Sequence, residues 1–162
     1  MKILYSLLLI ALISQSPTCL AQASSSLERI IGTRAAPGSQ VTFRDGDGRL
    51  SGTATTNRSG QTTFRDSSGR VTGTATRSNS GRTIFRDGSG RTTGTADQSA
   101  SGQTTFRDRS GRTTETASAS RSGATTFRDA AGRAAGTATS GRTGQTTFRS
   151  RNGRTAGTAL TR

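Results

Sequence analysis

The chain has 162 residues, a formal net charge of +14, and only 28% hydrophobic and 4% aromatic residues. That apolar content is below what a charged chain usually needs to bury a core, so disorder is the alternative any fold must beat. There is no His and a single Cys, which excludes a disulfide framework and leaves the many Ser and Thr hydroxyls without the commonest base to activate them.

The first 21 residues read as a leader. Met1-Lys2 gives a short positive start and Ile3 to Ile13 is an apolar run. Thr18-Cys19-Leu20-Ala21-Gln22-Ala23 then offers small residues at cleavage spacing, after Ala21 or Ala23. This pattern is a secretory signal peptide over residues 1–21, too short to span a bilayer. Pro17-Thr18 disfavours an acyl anchor on Cys19. The expectation is an exported protein, extracellular, on the cell surface or in a periplasm. Removing the leader takes Lys2, Tyr5 and Cys19 and leaves a charge of +13, one less than the whole chain's +14. Residues 22–38 form a linker or cap, with an apolar cluster at Leu27-Glu28-Arg29-Ile30-Ile31 and a hinge at Ala35-Ala36-Pro37-Gly38.

From residue 39 to 162 the chain is an array. Its six phenylalanines, Phe43, Phe64, Phe85, Phe106, Phe127 and Phe148, stand 21 residues apart without a slip. A strict period in this range marks repetition of one supersecondary unit. Phase is what argues against disorder, since a disordered tract has no reason to keep Phe, Gly and Ala on one clock.

Each unit holds two stretches that suit strands, Gln61-Thr62-Thr63-Phe64-Arg65 and Arg70-Val71-Thr72-Gly73-Thr74-Ala75-Thr76 in the clearest copy. Between them lies Asp-x-x-Gly, a turn in which the Asp side chain accepts from the backbone and Gly takes the left-handed position. The sixth unit carries Ser150 instead of Asp. A second, Ser/Asn/Arg-rich turn ends on Gly60, Gly81, Gly102, Gly123 and Gly144. Alternation puts Thr62, Phe64 and Asp66 on one face of the first strand, and Val71, Gly73 and Ala75 together in the second. The dry layer is then one Phe, one Ala, one Gly and an occasional Val or Leu, with Glu115 as the exception to the Gly. Burying one Phe gives ~2–3 kcal/mol, against ~1–2 kcal/mol for fixing each backbone residue, so no unit folds alone.

The expected fold is all-β, with six 21-residue strand-turn-strand repeats forming an antiparallel β-meander strip, a rolled-up version of that strip, or a β-solenoid, the meander or its rolled-up form being favoured. An odd period keeps every Phe on one face of a meander only if one turn has an even loop and the other an odd one. A solenoid stacks Arg65 on Arg86, Arg107 and Arg128, where like charges repel, although stacked aspartates alongside offset much of that.

The run Phe64-Arg65-Asp66-Ser67-Ser68-Gly69-Arg70-Val71 resembles the YD repeat of the RHS family: aromatic, Asp, two variable residues, Gly-Arg and an apolar residue. The resemblance covers residues 39–162 and implies hairpins built into an all-β strip. Here an Arg separates the aromatic from the Asp, which moves the aromatic to the other face, and six units are too few to enclose a cargo. The array is also similar to curlin-type secreted strand-turn-strand repeats, though their Gln/Asn ladders are largely absent.

Arginine carries the functional signal. Two per unit are fixed, one after Phe (Arg44, Arg65, Arg86, Arg107, Arg128, Arg149) and one after the turn Gly (Arg49, Arg70, Arg91, Arg112, Arg133, Arg154). A periodic guanidinium surface suits phosphate, sulfate or carboxylate polymers, because the planar fork bonds them bidentately. The bland alternative is a solvated face that keeps the array soluble. For an exported protein the matching partners are anionic polysaccharide, lipopolysaccharide or extracellular DNA, bound without sequence reading because no aromatic platform is spare.

The expectation is a non-catalytic structural or adhesive protein, needing no cofactor or metal, that self-associates through strand edges. The alternative is a soluble polyanion-binding module without assembly. Two weaker signals stand beside these. Asp45-Gly46-Asp47-Gly48 hints at a calcium loop but occurs once, and a tight turn explains it. Thr53/Thr55, Thr74/Thr76 and Thr137/Thr139 form Thr-x-Thr pairs like those of ice-binding β-solenoids, but only three of six units keep them.

Overall fold

A computed structural model describes residues 38–120 and 123–162. The leader, nearly all of the linker and Arg121 lie outside the described residues. Twelve strands follow in chain order: β1 (Gln40–Asp45), β2 (Leu50–Thr56), β3 (Gln61–Asp66), β4 (Val71–Arg77), β5 (Thr83–Asp87), β6 (Thr92–Gln98), β7 (Gln103–Asp108), β8 (Thr113–Ala119), β9 (Ala124–Asp129), β10 (Ala134–Ser140), β11 (Gln145–Ser150) and β12 (Thr155–Thr161). The expected two strands per unit are present, every neighbouring pair is antiparallel, and all pairs but one join strands consecutive in sequence.

The meander closes. β1 pairs antiparallel with β12, through Val41 with Thr161, Phe43 with Ala159 and Asp45 with Gly157, so the twelve strands form one barrel. Neither an open strip nor a solenoid exists. Each described strand has a hydrogen-bonded neighbour on both sides, and closure removes the unpaired edges through which self-association was expected.

The registers show how the ring closes. Phe43 pairs with Gly52, and Gly52 with Asp66, two residues beyond Phe64. The same step recurs in the later units and across the β12–β1 seam, where Gly157 meets Asp45. Six such steps give a shear of about 12 for twelve strands, hence a tilt of roughly 35° and a backbone radius of roughly 11 Å. A ring of this width has a lumen wider than eight-stranded barrels fill with ordinary side chains.

Phenylalanine lines it. All six rings are buried, Phe43 and Phe127 completely. Five of the six Phe have Ala as their Cα partner on one side and Gly on the other, as in Ala54–Phe64–Gly73. This alternation of large and small around the wall explains why all three residues share the 21-residue clock. In the fourth unit Glu115 takes the Gly position opposite Phe106 and is itself buried. Toward the other mouth lies a layer of Thr62, Thr83, Thr104, Thr125, Thr146 and Val41, all buried, with Thr56 Oγ1 3.0 Å from Thr62 Oγ1.

Parity is solved by a bulge, not by unlike loops. Both turn types are three-residue loops with a left-handed Gly. In the first, Asp66 N donates to Arg70 O and Gly69 N to Asp66 O; in the second, Asn57 N donates to Gln61 O and Gly60 N to Asn57 O. Gly69 has φ +83° and Gly60 φ +78°, which only Gly adopts without strain. The odd residue is absorbed where the register shifts between Phe64 and Arg65: Phe64 pairs with Gly73 but Arg65 with Val71, leaving Thr72 as the extra residue. This overturns one facing assignment. Val71 and its counterpart Leu50 lie on the outer wall, 38% and 44% exposed, and Thr72 takes the half-buried place.

The wall's polarity is the reverse of a membrane-spanning barrel. Outward positions are mainly Thr and Arg, where lipid contact requires an apolar band. The strands are five to seven residues long, against about 9–11 for a bilayer crossing. No helix among the described residues is long and apolar enough to cross a membrane.

Candidate functional site

Because the strands run alternately up and down, all six Phe-to-Arg turns fall at one end of the barrel. Residues 44–49, 65–70, 86–91, 107–112, 128–133 and 149–154 make that rim. It holds fourteen Arg and six Asp, a net charge of +8. The opposite rim carries five described arginines, Arg58, Arg77, Arg82, Arg142 and Arg162, with Arg82 Nε 2.7 Å from Asp97 Oδ1.

The turn's own chemistry orders this rim. In units one to five the aspartate Oδ1 accepts from two backbone N–H groups. For Asp45 these are Asp47 N at 3.0 Å and Arg49 N at 2.8 Å, and for Asp129 they are Ala131 N and Arg133 N, both at 2.9 Å. In the sixth unit Ser150 Oγ has two acceptors in reach, Asn152 Oδ1 and Arg154 O, and its single hydrogen serves one of them at a time. The carboxylates serve the turns first, and side-chain ion pairing is secondary. Ion pairs of the rim include Arg49–Asp47 at 3.4 Å and Arg133–Asp129 at 3.6 Å. Both are exposed, a setting in which such pairs contribute little.

The six arginines after Phe share one posture. Nη1 of Arg44 donates to Gly48 O at 2.9 Å, that of Arg65 to Gly69 O at 2.9 Å and that of Arg86 to Gly90 O at 3.1 Å. Arg107, Arg128 and Arg149 repeat it on Gly111, Gly132 and Gly153 at 3.1, 3.0 and 3.0 Å. The left-handed Gly presents its carbonyl to the guanidinium on the preceding strand. One corner of each guanidinium is thus fixed, and the side chain stays exposed. The six arginines after the turn Gly are exposed beside them. The structure brings together all twelve arginines singled out in the sequence, and places all six phenylalanines inside, out of solvent. What sequence reasoning missed is the Arg-to-Gly bond; the constant spacing of four residues between the two was its only trace.

The Ser side chains tune two of these turns. Ser68 Oγ donates to Asp66 Oδ1 at 2.6 Å and Ser110 Oγ to Asp108 Oδ1 at 2.6 Å, and these bonds hold both carboxyls below the ordinary value of 3.8. A lowered folded pKa gives stability that is present above the unfolded value and is lost only as pH falls through the lower folded one. The two turns are therefore expected to persist through pH 4 and loosen in stronger acid. In a carboxylate NMR titration, Ser68→Ala should raise the Asp66 midpoint toward 3.8 and leave Asp108 unmoved; equal midpoints before and after would contradict the assignment.

Two weaker signals have places in this fold. Asp45 Oδ1 is occupied by turn N–H groups and Asp47 faces Arg49, and no group of three metal-ligating side chains occurs among the described residues. The Thr-x-Thr pairs lie on strands of the closed wall.

No family model matches the chain, and no curated protein matches it. Among solved structures, an X-ray structure of a protein from Arabidopsis thaliana matches with a TM-score of 0.51 at 10% identity, covering 76% of this chain and 80% of that one. BamB from Moraxella catarrhalis matches at a TM-score of 0.31 and 13% identity, over 64% of this chain and 59% of that one, too low to carry an argument. Neither is described as a YD-repeat or curlin protein. The Arabidopsis likeness is one of fold alone.

Proposed function

We propose that the protein is an exported, non-catalytic β-barrel that holds anionic polymers or surfaces through the arginine rim at one end. The observation that carries this reading is the ring of twelve exposed arginines, six of them fixed in the same way on turn carbonyls. Prior fixing lowers the side-chain ordering cost of binding, and the planar fork matches phosphate, sulfate and carboxylate. Closure of the barrel favours a binder that stays monomeric over one that assembles through its edges. With every Phe buried, no ring is available to stack on a base, so DNA is bound as a polyanion only.

The mature chain is expected to bind a heparin column and to elute at moderate salt, since each guanidinium contact displaces counterions. Replacing Arg44, Arg65 and Arg86 by Ser should lower the eluting salt, while Arg58→Ser and Arg142→Ser at the opposite rim should change it little. Retention that ignores salt, or that depends equally on the two rims, would contradict the reading.

A further inference from the structure

The rim is a closed ring at one level, because the same register step relates every unit, including across the β12–β1 seam. A ring roughly 22 Å across presents its arginines to a plane all at once, whereas a straight polymer touches only the few on one side. The same end also carries the two large apolar side chains that stand exposed among the described residues, Leu50 and Val71. Each is the Cα partner of a rim arginine, Leu50 of Arg44 and Val71 of Arg65, on adjacent hairpins. The bulge turns them outward; in the other units the position holds Thr92, Thr113, Ala134 and Thr155. A purely polymer-binding rim has no use for aliphatic side chains beside its guanidiniums. A bilayer surface has both layers to offer, anionic headgroups at the level of the arginines and apolar chain just beneath.

We infer that the barrel docks end-on upon an anionic lipid bilayer, with the arginine rim in the headgroups and Leu50 and Val71 anchoring one side. This rests on the proposed polyanion reading and narrows it to a planar lipid partner. The docking is peripheral, since the outer wall beyond the rim is Thr-rich and polar. It also implies a tilt, because the aliphatic anchors sit on the first two hairpins only.

The test is co-sedimentation of the mature chain with phosphatidylglycerol vesicles and with phosphatidylcholine vesicles, and heparin retention in parallel. The informative variant is Leu50→Thr with Val71→Thr, which installs the residue that three other units already carry and so keeps the fold. Binding to phosphatidylglycerol at least tenfold tighter than to phosphatidylcholine is expected, weakened about fivefold by the double variant while heparin retention is unchanged. Vesicle binding that is absent, or indifferent to the double variant, with heparin retention intact overturns the lipid inference and leaves the polyanion reading standing. Loss of both vesicle and heparin binding in the parent chain overturns the two together.

Discussion

Replacing Phe127 by alanine is expected to lower the unfolding free energy by about 3–5 kcal/mol. Small domains hold about 5–15 kcal/mol in all, so the loss is a large share. The reason is specific to this wall. Phe127 is fully buried, with Ala117 and Gly136 as its Cα partners, so neither neighbour has a side chain long enough to collapse into the space. Arg128→Ser, one residue along and on the outer wall, should stay within about 0.5 kcal/mol. Urea unfolding of residues 22–162 followed by amide circular dichroism reads both, as that stretch lacks Tyr and Trp for fluorescence. A Phe127→Ala protein as stable as the parent would show that the rings lining the lumen do not stabilise it.

The second large effect concerns closure. Ending the chain at residue 140 removes β11 and β12, with Phe148 and the partner of β1. What remains is ten strands with two unpaired edges, β1 and β10, and a lumen open along one side. Exposed edges of this kind pair with other chains. The truncated protein is expected to run as large, concentration-dependent oligomers where the full mature chain runs as a monomer. A truncated chain that stays monomeric with the parent's thermal transition would mean that the seam contributes nothing.

These expectations also mark where sequence reading succeeded and where it stopped. The period was legible in the 21-residue spacing of the phenylalanines, and the two strands per unit and the Asp-x-x-Gly turn because each depends on residues within a few positions of one another. The second strand shows the limit. Strict alternation placed Val71 inside beside Gly73, and the bulge at Thr72 reverses that, a backbone irregularity that Val71-Thr72-Gly73 does not announce. The loops misled in the same way: Arg77-Ser78-Asn79-Ser80-Gly81 looks looser than Asp66-Ser67-Ser68-Gly69, yet Gly81 N donates to Ser78 O just as Gly69 N does to Asp66 O.

Closure was out of reach for a different reason. Strand β1 carries the same residues whether its neighbour is β12 or solvent, and only the two-residue register step summed over six units brings Asp45 to Gly157. As for the rim, the exposure of its arginines followed from alternation, and their gathering at one end from any antiparallel meander. The anchoring of Arg44 on Gly48 O depends on a left-handed carbonyl whose direction is set by the folded turn.

The barrel depends on the seam between the first strand and the last. Backbone NMR of the mature chain measures it directly, through cross-strand proton contacts between Val41 and Thr161 and between Phe43 and Ala159. The barrel predicts those contacts, with slow amide exchange in β1 and β12 equal to that in β6 and β7. Random-coil shifts throughout, or fast exchange confined to β1 and β12 with no contact between them, would contradict it.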